Sequence, residues 1–195
     1  MRPTRVLAAG VLCAGALAGT ALVAPAAGAS TGHDGSGERE HAGVTTVVLD
    51  PALVPVLTDT LHVSPLAPAT LTAAKGVTKA SFPISEVDGK VIEHRGGLAF
   101  TAVGGGALRI TRFDVDLGTG FLSAQASLDG QRLGRVDVFR LGPVREISGE
   151  VPSCAGTPAG LTLTATAAKA LGAPSFAGAF VGDACVVPGS AQDDD

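Results

Sequence analysis

His94, in the stretch Glu93-His94-Arg95-Gly96-Gly97-Leu98, is the side chain best placed for chemistry. In extended chain, successive side chains point to opposite faces, so His94 shares an apolar face with Ile92 while Glu93 and Arg95 share the other. A neutral imidazole can ligate a metal or act as a base. On the apolar face of a strand it more commonly serves as a hydrogen-bonded packing residue, and a role in function has to be argued from the groups around it. The chain has no G-x-S-x-G elbow to supply a partner nucleophile. The other histidines are His33 and His41 near the N-terminus and His62 among prolines. Asp114 and Asp116 alternate along one strand and share a side, as a carboxylate pair could, but Arg109 and Arg112 share that polar side. An ion-paired wet surface follows from that composition. Gly104-Gly105-Gly106 leads to a strand and not to a helix N-terminus, so it has no phosphate cradle. His33 and His41, with Asp34, Glu38 and Glu40, match no ligand spacing and read as a solvated tail. No catalytic residue and no metal site is expected; His94 is the one candidate for cofactor binding.

The elements that would position His94 run from Gly89 to Leu141. Turns punctuate this stretch at Asp88-Gly89, Gly104 to Gly106, Gly118 to Gly120 and Asp129-Gly130. Between them the period is 2: Leu122, Ala124, Ala126 and Leu128 alternate with Ser123, Gln125 and Ser127. The alternation Leu108, Ile110 changes phase at Thr111-Arg112 before Phe113, Val115, Leu117, which predicts a β-bulge. Val136 and Val138 followed by Phe139 and Leu141 imply a second phase change or burial on both faces. Such a meander needs a cover for its apolar face. Two strand–cap–short helix units flank it, Val47 to Leu57 and Leu161 to Leu171, and are expected to supply that cover. Pro83 in Ser81-Phe82-Pro83-Ile84 predicts an edge strand or a strand end. The expected fold is mainly β, an antiparallel β-sandwich or partly open barrel with two short helices.

Residues 1–29 read as a signal peptide: Arg2 and Arg5, an apolar run from Val6 to Val23, and Ala27-Gly28-Ala29 as the cleavage site. Leu12 before Cys13 is too large for a lipobox. Residues 30–43 are a Gly-, Ser- and charge-rich leader expected to be disordered, 44–188 a single β-rich domain, and 189–195 an acidic disordered tail. The formal net charge is −4; without Arg2 and Arg5, 12 basic residues stand against 18 acidic ones and it becomes −6. An acidic excess argues against nucleic acid and anionic membrane surfaces as partners, and no apolar span remains after cleavage that could cross a bilayer. Cys154 and Cys185 are then an isolated pair in an exported chain, which predicts a disulfide. The absence of Asn, Tyr and Trp, with Arg in excess of Lys, suits a GC-rich, actinobacterial coding bias.

Gly89-x-Val91-x-x-His94-x-Gly96-Gly97-Leu98 and Leu161-Thr-Leu-Thr-x-Thr-Ala-Ala-x-Ala-Leu171 resemble the Htaa-type domains of secreted and cell-surface actinobacterial proteins. The resemblance implies a secreted β-rich fold. That family includes haem-binding domains that ligate iron through a tyrosine with a histidine nearby. His94 falls on the H-x-G-x-L pattern, and the chain has no tyrosine. The leading expectation is therefore a secreted or envelope-associated, non-enzymatic binding or structural module without a cofactor, its partner an extracellular or cell-envelope ligand. A haem- or metal-binding protein using His94 is the alternative, and an enzyme without a recognisable motif the second alternative.

Overall fold

The computed structural model describes residues 43–147 and 153–189. The signal peptide, all but the last residue of the leader, and the acidic tail beyond Gly189 lie outside them. The strands are β1 (Gly43–Leu49), β2 (Ser64–Leu66), β3 (Thr70–Ala74), β4 (Val77–Asp88), β5 (Val91–His94) and β6 (Gly97–Thr101). They continue as β7 (Ala107–Asp116), β8 (Phe121–Leu128), β9 (Gln131–Gly142), β10 (Thr157–Leu163) and β11 (Phe180–Pro188). A helix, α1 (Ala165–Ala170), follows β10. Single turns of helix occupy Val56–Thr60 and Pro174–Phe176.

Every pairing is antiparallel. The order β7-β5-β4-β1-β11-β10-β9-β8 returns to β7 through the β7–β8 ladder, so the strands close into a barrel. The mainly β expectation with short helices holds, and the sheet is closed, neither a sandwich nor an open barrel. Hydrogen-bonding the last stave to the first removes the edges of the eight staves, and the extra strands β2 and β3 each pair on one side only. The expected cover is also corrected: β1 and β10 do not lie over the meander but are staves beside β11. Within the meander β5 does not pair with β6. Both lie along the same edge of β7, β6 against Ala107–Thr111 and β5 against Asp114–Asp116.

That change of neighbour explains two irregularities. β7 carries its bulge between Thr111 and Asp114, where it leaves β6 for β5, as the phase change predicts. Arg112 adopts a φ of 52° there. Pro83 lies in mid-strand and not at an edge, which corrects the proline argument. Its carbonyl accepts from Arg95 N at 2.9 Å, so its nitrogen faces the same side. On that side β4 passes from β3, which ends opposite Ser81, to β5, which begins opposite Ile84. The missing N–H therefore falls between two partners and costs no ladder bond. The second predicted phase change is the shift between Leu122 and Ser123, where Val138 is the extra residue on β9.

The core is the barrel lumen, with Ile84 and Leu161 completely buried. The two ends differ. At one, the chain after β1 and the chain after β10 turn into helix. Asp50 Oδ1 accepts from Ala52 N at 2.9 Å, and Thr164 Oγ1 from Ala167 N at 3.1 Å, both satisfying donors at a helical start. Leu61, Ala168, Leu171 and Ala173 are buried under this cap. At the other end, the β4–β5 and β7–β8 hairpins turn back tightly, and among the described residues no helix lies across it.

Candidate functional site

His94 is 3 % exposed and points into the lumen with Ile92. Its position follows from the bulge. The extra residue in β7 leaves the Phe113 carbonyl outside the ladder, and His94 Nδ1 lies 3.2 Å from that oxygen. A carbonyl only accepts, so Nδ1 carries the proton and Nε2 is the acceptor. The Thr45 hydroxyl, on β1, donates to Nε2 at 2.6 Å. The ring thus ties β5 to β1 and β7 across the lumen with both nitrogens used. Burial pushes its pKa below 6.5, against the carbonyls of Phe113 and Ile92, which favour the charged form. Phe82 and Phe113 stack edge to face beside it, with ring centroids 5.0 Å apart.

The lumen encloses about 120 Å³ of free space. Eight-stranded barrels are just wide enough for side chains to fill. Here Ala80, Ala126, Ala159 and Ala184 occupy wall positions, and their short side chains leave the middle open. The lining extends from Leu57, Ala170 and Phe176 at the helical end to Leu117, Leu141 and Thr157 at the hairpin end. Thr45 and His94 are polar members of that lining, and they satisfy each other.

On the outer face the anticipated carboxylates separate. Asp114 pairs with Arg135 at 2.5 Å, and Arg135 also donates to Ser123 Oγ at 3.0 Å. Asp116 Oδ1 accepts from Gly118 N at 2.7 Å and Thr119 N at 3.1 Å. Those bonds, Thr119's foremost, lower its pKa and make it a turn residue. His62 Nδ1 contacts the Thr58 carbonyl at 3.1 Å at the end of the helical turn. Cys154 and Cys185 are bonded, with Cα atoms 5.5 Å apart, pinning the approach to β10 onto β11.

Asp183, which the sequence pattern did not single out, is 4 % exposed on β11. Both carboxylate oxygens accept from Arg145 N at 3.2 Å. Burial raises its pKa, opposed by that N–H and the Arg145 charge. The Arg145 guanidinium lies 4.6 Å from the Phe180 ring centroid, over its face. A signal existed: an acid inside the apolar run Phe180 to Val187 marks a position needing a dedicated donor. Among the described residues no group of three or more His, Cys, Asp or Glu side chains could hold a metal ion.

The geometry defines a closed antiparallel barrel, plugged at one end, with a small apolar lumen. No protein-family model matches the chain, and no curated protein matches it. Among solved structures it is similar to the haem-binding protein HtaB of Corynebacterium glutamicum, with a TM-score of 0.51 and 10 % identity over 74 % of this chain and 90 % of that one. It is also similar to the C-terminal domain of HtaA from the same organism, with a TM-score of 0.44 and 15 % identity over 75 % of this chain and 98 % of that one. At these identities the likeness is one of fold, and in fold the chain resembles the Htaa-type domains.

Proposed function

We propose that this chain is an exported binding or structural module and not an enzyme, with His94 as an internal post. The observation behind this reading is that its buried ionisable side chains are consumed internally. His94 is held by Thr45 and Phe113, and Asp183 by Arg145. No buried side-chain N or O among the described residues lacks a hydrogen-bond partner, and a general base needs a free site facing substrate. The disulfide supports an oxidising destination outside the cytoplasm, as does the cleavage pattern at Ala27 to Ala29. Mass spectrometry of the exported protein is expected to find Ser30 first.

HtaB is a haem-binding protein, and the residues of this chain do not fit that group. The chain has no tyrosine, His94 has no free nitrogen, and a 120 Å³ lumen is far too small for a porphyrin. Haem does not fit the interior. The ligand is extracellular and neither nucleic acid nor a cofactor at His94. Among the described residues no helix is long and apolar enough to cross a membrane. The test is His94→Ala, followed by denaturant unfolding and by haem and Zn²⁺ titrations. A less stable protein with unchanged titrations is expected; unchanged stability with lost binding would overturn the assignment.

A further inference from the structure

Among the described residues, helical segments close the lumen at one end and none crosses it at the other. Leu117 continues the inward face of Val115 beyond β7 and lines the space, yet is 41 % exposed. Val87 pairs with buried Ile92, so it faces inward too, and it is 46 % exposed. Apolar side chains that point into a barrel and still meet water mark a mouth. Below it the wall is aliphatic and aromatic, narrowed by no large residue at Ala126, Ala159 or Ala184. An enclosed apolar space of about 150 Å³ stays dry and accepts a benzene-sized molecule, and the space here is about 120 Å³. With Thr45 donating to His94 and His94 donating to the Phe113 carbonyl, neither interior polar side chain has a donor left for a polar head group. A ligand of this shape is a thin hydrocarbon whose polar end stays outside.

We propose that the lumen is a binding site for the terminal carbons of an unbranched acyl chain, which enters past Leu117 and Val87 with its head group in water. This deepens the binding-module reading and rests on it. Methyl NMR during titration with sodium decanoate, kept below its micelle concentration, tests it. The expected result is saturable binding of one chain per protein, with shifts at Ala126, Ala184, Val115 and Leu161 and none at outward Leu133. Ala126→Leu fills the lumen and is expected to weaken binding at least tenfold. Leu117→Lys places a charge at an already wet position and is expected to weaken it similarly; it serves if Ala126→Leu does not fold. Phosphatidylcholine vesicles form a second arm. Interior shifts with decanoate assign a free acid, and interior shifts with vesicles alone assign a lipid tail. Absence of saturable interior shifts in both arms, or shifts insensitive to the variants, overturns the site. If that happens while His94→Ala is destabilised and indifferent to haem and Zn²⁺, the acyl site falls and the non-enzymatic reading stands.

Discussion

The two ends of this barrel are built from the same staves and differ only in their connections. At the helical end, β1 and β10 run into segments long enough to form capped helical turns, which lay Leu61, Ala168 and Leu171 across the opening. At the hairpin end, Asp88-Gly89 and Gly118 to Gly120 reverse the chain at once, leaving no side chains to spare. A tight turn satisfies backbone twist but contributes almost no apolar area. The helical segments that follow β1 and β10, then, seal their end, and the seal should be visible as stability.

Leu171→Ala is expected to produce the largest loss, about 2–5 kcal/mol by urea unfolding, because it empties a buried position under the cap. A loss under about 1 kcal/mol would mean the helical end is not a seal. Opening the disulfide by Cys154→Ala with Cys185→Ala comes next. It frees a closed segment of about 32 residues, for which loop entropy gives roughly 3–4 kcal/mol. Intact mass before and after alkylation should find no free thiol in the native protein; labelling of both cysteines without reductant would contradict the bond.

His94 ties β5 to β1 and β7 across the lumen, and its removal should cost about 1–3 kcal/mol because the Phe113 carbonyl loses its donor. The pH dependence has a defined sign. In the unfolded chain the imidazole titrates near 6.5, and in the barrel its pKa is lower. As pH falls through 6.5 the unfolded chain takes up a proton that the folded one refuses. The contribution is therefore whole above about 6.5 and is lost as pH drops towards the lowered folded value. Unfolding midpoints from about pH 8 to about pH 5 should fall, and fall less in His94→Ala. Asp183 contributes the opposite slope between 3.8 and its raised folded pKa.

Much of this was legible in the residues. Period 2 with Gly-containing turns marked β6 through β9, and the phase changes at Thr111-Arg112 and Val138-Phe139 located two of the register shifts but not those at Ser127, Leu161 or Ile84. Thr164 and the alanines after it marked α1 with its cap. Closure was not legible, because it depends on which strands share an edge of β7, and that is a long-range pairing with no local signal. The hairpin Thr70–Ala74 and Val77 onward was hidden as well. Its strand is alanine-rich, and Lys75 takes a φ of 51° in a turn of weak signature. For the site, alternation placed His94 on the apolar face, but its Thr45 and Phe113 partners are 49 and 19 residues away. Asp183 is marked only by its place inside an apolar run, and its donor, a backbone N–H, has no sequence signature.

The smallest expected effect is the sharpest test of the contrast between the ends. Leu117 and Leu171 are the same residue type, and both point toward the lumen, one at the mouth and one under the cap. Leu171 is 8 % exposed and Leu117 is 41 % exposed. Truncating a buried leucine loses its transfer free energy and leaves a cavity. At the mouth, water already covers much of the side chain and fills whatever the truncation vacates, so no cavity term arises. Leu117→Ala should therefore cost less than about 1 kcal/mol, close to an ordinary surface substitution. The two variants, unfolded side by side in urea, should differ by at least about 1 kcal/mol. Equal losses would mean that Leu117 is as well covered as Leu171, and the barrel would then have two sealed ends and no mouth.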